Sequence, residues 1–121
     1  MNQPIYNVLL ILTDGEIHDM DSTVSQIVRA SSSPLSIIII GVGNEKFKLM
    51  KRLDSDDSVL RDNYGNCVLR DIVQFVKFKK YSMAGAPALA EEVLREIPDQ
   101  LVSYMLSANI YPSGFREKYM Q

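Results

Sequence analysis

The chain has one cysteine, one histidine and no tryptophan among its 121 residues. A single cysteine, Cys67, excludes an intrachain disulfide. With a single histidine beside it, His18, a Cys/His metal site of zinc-finger type is excluded as well. Charge of one sign is also lacking. Lysine and arginine total 13 against 15 aspartates and glutamates, a net charge of −2. So near neutrality, the chain has no general electrostatic pull on nucleic acid or anionic lipid. The one local basic cluster, Lys77, Lys79 and Lys80, reads as a solvated edge. No apolar run approaches the roughly 20 residues of a membrane-spanning helix. The opening MNQPIYNV has no basic region followed by an apolar stretch, so no signal peptide is expected there.

What is present is a globular composition, 46% hydrophobic and 23% charged, which argues against disorder and for a single small core. The organising stretch is NVLLILTDG, residues 7–15. Its apolar run from Val8 to Leu12 predicts a strand over residues 5–12 buried on both faces, as in parallel sheets. Thr13-Asp14-Gly15 then falls at the strand's carboxyl end, where open α/β sheets bind ligands. A carboxylate followed by glycine there suits a hard, oxygen-bound cation such as magnesium. Asp-Gly is also a common turn dipeptide, and both readings stay open at this level.

Asp19-Met20-Asp21-Ser22 offers helix N-caps, and Met20, Val24, Ile27 and Val28 form an apolar helical stripe. Ser31-Ser32-Ser33-Pro34 ends it. The β-branched run LSIIII (35–40) predicts a second, central strand, ending at Gly41-Val42-Gly43. Lys46 stands where a dinucleotide fingerprint needs its third glycine, so these glycines are expected to admit a neighbouring loop. A short helix is expected over 45–52 and a polar surface loop over 54–66. That loop fails the calcium-loop test, with Val59 in place of the glycine and Gly65 in place of the glutamate. IVQFVKF (72–78) predicts a third strand, more exposed and near a sheet edge. Leu89, Val93, Leu94, Ile97, Leu101 and Met105 form a second helical stripe, expected to be a core face. Pro98 interrupts it, predicting a kink or two abutting helices.

Strand, helix and strand within about 35 residues is a right-handed βαβ unit. Two fully apolar strands need neighbours and helices on both sides. A compact three-stranded domain is one reading. The favoured one is the C-terminal part of a larger domain, because an unpaired apolar edge invites association.

The segments LLILTDGEIHDMDST, PLSIIIIGVGNEKF, LDSDDSVLRDNYGNCVLRDIVQFVKF and ALAEEVLREIPDQLVSYM together resemble the C-terminal half of the copine A domain, a von Willebrand factor A-like fold. TDGEIHDMD (13–21) and RDIVQFVKF (70–78) carry the resemblance most specifically. It implies an α/β fold of Rossmann type: part of a doubly wound, mainly parallel sheet of three strands with flanking helices, incomplete as a domain. Residues 1–121 would be that partial domain, with a mobile tail over about 113–121. It also implies a metal-ion-dependent adhesion site built from three loops, to which Asp14 contributes the third-loop aspartate with Thr13 and Gly15 as turn neighbours. An Asp-x-Ser-x-Ser pattern for the first loop is absent from this chain. Magnesium or manganese would therefore belong to the full domain and be weak or absent here.

The expected function is a protein-interaction module, not an enzyme, from a calcium-dependent phospholipid-binding protein. Calcium and the phospholipid membrane would act only through modules outside this chain, and the location implied is cytoplasm and, with calcium, plasma membrane. Protein partners and self-association through an exposed strand edge are expected, and nucleic acid is not. The alternatives are part of a copine-like ubiquitin ligase, whose RING module the single cysteine excludes from this chain, or a structural fragment without binding of its own.

Overall fold

The computed structural model describes residues 4–44, 46–54 and 59–112. Most of the acidic run at 54–58 and the tail expected over about 113–121 lie outside them. The elements follow the order β1 (Asn7–Thr13), α1 (Met20–Ala30), β2 (Leu35–Gly41), α2 (Lys48–Leu53), β3 (Val73–Lys77), α3 (Phe78–Tyr81), α4 (Ala86–Leu94) and α5 (Ile97–Ser107). The strands form one parallel sheet in the order β1-β2-β3, with Asn7 opposite Leu35 and Ile37 opposite Val73. The α/β class expected from the sequence is the one observed.

α1 starts where its cap is. The Asp19 carboxylate accepts the Ser22 N–H at 3.0 Å, satisfying a donor the first turn leaves free. Val24 and Ile27 then face the sheet. They pack with Ile37 and Ile39 of β2, Val73 and Phe75 of β3, and Phe47, Met50 and Leu53 from α2 and its approach. This is the main core. β2 is buried along both faces, because it alone has a strand on each side and helices above and below.

The opposite face is more polar. Ser36 and Gln74 lie buried beside Ile38, Ile40 and Val76. Gln74 donates to the Glu92 carbonyl in α4 at 3.2 Å, and the Ser36 hydroxyl bonds the Gln100 side chain in α5. Arg70 closes this corner. Its guanidinium donates to the carbonyls of Ser33 (2.6 Å), Leu35 (2.9 Å) and Gln100 (3.2 Å) and to the Tyr6 hydroxyl (3.3 Å). It also lies 5.7 Å from the Tyr6 ring centre and 5.2 Å from that of Tyr104, within cation–π range.

Three expectations are corrected. β1 is not buried: Val8, Leu9, Leu10, Ile11 and Leu12 are 37–67% exposed. Among the described residues it has one strand neighbour, and its apolar side chains meet no cover on the far side. β3 is an edge strand as expected, but its side chains from Val73 to Val76 are buried, because α2 and α4 cover its two faces. The helical stripe after Gly85 is not a core face throughout. Leu94, Leu101, Val102 and Leu106 are exposed, and the buried residue of α5 is Gln100. α5 sits on the polar seat of Ser36 and Gln100, which turns much of its apolar face outward. Pro98 does divide the region into two abutting helices, standing in the first turn of α5, where its missing N–H costs nothing.

Candidate functional site

β1 and β2 end side by side, Thr13 opposite Gly41, and their loops make the carboxyl edge. Thr13 folds the chain back on itself. Its hydroxyl donates to the Gly15 carbonyl at 3.0 Å and accepts the Gly15 N–H at 3.3 Å. Asp14 is carried at the apex of that bend, exposed. Gly15 is not sterically required: a Cβ there would meet nothing within 4 Å.

Gly41 is different. A Cβ at Gly41 would lie 2.9 Å from the Phe47 ring, which is fully buried and 5.6 Å from the Phe75 ring centre. The expectation that a glycine lets the strand end close against a loop holds here. Phe47 itself is left-handed, with φ of 53°. A bulky residue in that region is strained, and its buried ring is what holds it there.

Phe47 directly precedes α2, which has no side-chain cap from its own segment. Glu16 supplies one from across the edge. Its carboxylate accepts the Leu49 N–H at 3.1 Å and the Met50 N–H at 3.0 Å, and also the Ile17 N–H at 3.2 Å. Burial works to raise the Glu16 carboxyl; the backbone N–H groups of Leu49, Ile17, Met50 and Lys48 outweigh it and hold the group below its ordinary value. The sequence reading missed this residue, because the contact spans more than 30 positions and no local motif announces it. A cleft lined by Asp14, Glu16, Asn44, Lys46, Lys48 and Leu49 opens beside it. Lys79, next to β3, reaches this edge by donating to Asn44 at 3.2 Å.

Among the described residues, this edge can offer a cation one exposed carboxylate, that of Asp14. Glu16 is committed to backbone N–H groups and the Thr13 hydroxyl to Gly15. A hard divalent ion takes six or more oxygens, so the residues present do not make a metal site by themselves. Among the described residues, Asp54, Asp71 and Glu96 are the group of acids whose ligand oxygens fall within 4.8 Å of one another, and Asp14 is not part of it. Two of these acids serve the sheet. Asp54 accepts the Phe75 N–H at 3.1 Å and Asp71 the Val73 N–H at 3.3 Å, which seals the outer edge of β3. His18 is exposed and Cys67 half-buried in the 61–67 turn. No described helix is long and apolar enough to cross a membrane.

The fold and this edge define a class: a parallel α/β sheet with a strand-end aspartate at its carboxyl edge. Comparison with known proteins then makes the assignment specific. The sequence model of the copine family matches residues 1–113. Copine-E of Dictyostelium discoideum is 56% identical over 109 residues, which are 89% of this chain and 19% of that protein. Copine-C of the same organism is 53% identical over 111 residues (92% and 20%), and Copine-B 55% over 115 (93% and 22%). The chain belongs to the copine family and spans about one-fifth of the length of these relatives.

Proposed function

We propose that this chain is the part of a copine A-type domain, of von Willebrand factor A kind, that contributes Asp14 to a divalent-metal edge, and that the edge binds protein partners rather than performing catalysis. The observation that carries the reading is the placement of Asp14, exposed at the carboxyl end of a strand whose far edge is open and apolar. Ligand and seam lie on one strand. A segment seated along β1 would bring its own strand end beside Asp14, and with it the oxygens that Asp14 lacks. Magnesium or manganese is the ion class this chemistry suits. On this reading calcium-dependent phospholipid binding, and the recruitment to plasma membrane it would bring, belong to modules outside residues 1–121.

Amide NMR during magnesium titration tests the proposal. The expected result is no saturable shift near Asp14 in the 121-residue chain, and a saturable one in an N-terminally extended chain, lost in its Asp14→Ala variant. An extended, folded chain that ignores magnesium would overturn the metal edge.

A further inference from the structure

Lysines gather where β2 and β3 end. Lys46 and Lys48, beside the first turn of α2, line the cleft that holds Asp14, Glu16 and Asn44. Lys51 of α2, Lys77 of β3 and Lys80 of α3 line a second cleft, with Asp54 and Glu92 on its walls. The two clefts are joined. Lys48 and Lys51 stand three residues apart on α2 and so share a face, and Lys79 donates to Asn44 at 3.2 Å. The cluster Lys77, Lys79 and Lys80 is thus half of a group of six lysines, five of them exposed and Lys77 half-buried.

Among the described residues none of the six is in an ion pair; the pair that forms is Arg95 with Glu92. The acids of the clefts are engaged elsewhere. Glu16 holds the N–H groups of Leu49 and Met50, Asp54 that of Phe75, and Glu92 the Arg95 guanidinium. Only Asp14 of these four is left to face the lysines. A chain of net charge −2 therefore carries, among its described residues, an excess of positive charge at one end of its sheet.

We infer that this end of the sheet binds an extended acidic segment of a partner protein, whose aspartates and glutamates lie along the two clefts against the lysines. The inference deepens the reading of this edge as a partner-binding surface and rests on it, but it needs no metal. A protein segment is favoured over a lipid surface by shape. The lysines stand around concave clefts floored by buried side chains, Phe47 in the first and Phe75 and Val76 in the second, which a chain can enter and a flat bilayer cannot. Exposed lysine–carboxylate pairs are individually weak, so recognition needs several carboxylates in succession, and it is screened by salt.

A fluorescent 20-residue polyglutamate peptide is the probe, followed by anisotropy at pH 7 in EDTA, with amide NMR mapping its site on the chain. The expected result is saturable binding without magnesium, with shifts confined to residues 44–51 and 77–81. The affinity should fall about tenfold between 50 and 300 mM salt. It should fall about tenfold again in Lys48→Glu/Lys80→Glu, and stay unchanged in Arg29→Glu, an exposed arginine at the far end of α1. Where the double variant fails to fold by circular dichroism, the shift map of the unmodified chain decides; where residues 1–121 do not fold alone, the same measurements on an N-terminally extended chain decide. No binding, binding that requires magnesium, an equal loss in Arg29→Glu, shifts spread over other basic residues, or capture by phosphatidylserine vesicles in place of the peptide would each overturn the proposal. The metal reading fails separately, since binding in EDTA is independent of whether magnesium shifts Asp14.

Discussion

Glu16, Gly41 and Arg70 do more for this structure than their sequence neighbourhoods announce. Gly41 is held by the Phe47 ring at 2.9 Å from where a Cβ would stand, and the ring is locked by Phe75. Gly41→Ala should therefore destabilise the chain by about 1–3 kcal/mol, the range of overpacking in a tight core, read from urea unfolding. Glu16 binds α2 to the β1 loop. Its carboxyl sits below the ordinary 4.5, so its contribution is complete above that pH and is lost as pH falls through the lowered folded value. Glu16→Gln should cost about 1 kcal/mol at neutral pH, as losing a helix cap does. The gap between the two proteins should close in acid, which parallel melts from pH 7 to pH 3 would show. The strand-end position of Asp14 was legible from its triplet. Glu16 was not, since a cap that arrives from 33 residues away leaves no local signature.

β1 and β2 carry nearly the same apolar sequence and have opposite fates. Ile39 is 4% exposed and Leu12 67%. Ile39→Ala should cost about 2–5 kcal/mol, as cavities in cores do. Leu12→Ala should cost under about 1 kcal/mol, as surface changes do. Equal losses would mean that β1 is buried in solution by something already bound. The helices repeat the lesson. The stripe through Leu101 and Met105 predicts a core face because apolar spacing shows that a helix has an apolar side. It does not show which side meets the sheet, and the bonds of Gln100 and Arg70 turned α5 onto its polar side. α1, β2 and the break at Pro98 were legible because cap, β-branched run and ring act locally.

At the scale of the molecule, among the described residues, the sheet is sealed along β3 and uncovered along β1. That asymmetry makes the stability of the chain sensitive to what binds the open side. Anything that binds the folded chain there stabilises it by mass action. On the proposed reading, an N-terminally extended chain that seats a segment along β1 should melt at a higher temperature in calorimetric scans than residues 1–121 do. Equal melting temperatures for the two would contradict a segment seated on that strand.

The amino-acid sequence by itself determined the α/β class, the strands and principal helices, the family resemblance and the position of Asp14 at a strand end. Each depends on local periodicity, caps, turn residues or a contiguous motif. The tertiary structure alone decided which apolar strand would be covered, that Glu16 would cap α2 from a distance, and that Arg70 would tie the amino ends of all three strands to α5. Burial and long-range hydrogen bonds depend on which segments become neighbours. An apolar run states only a preference to leave water, and the fold settles whether a neighbour is there to receive it.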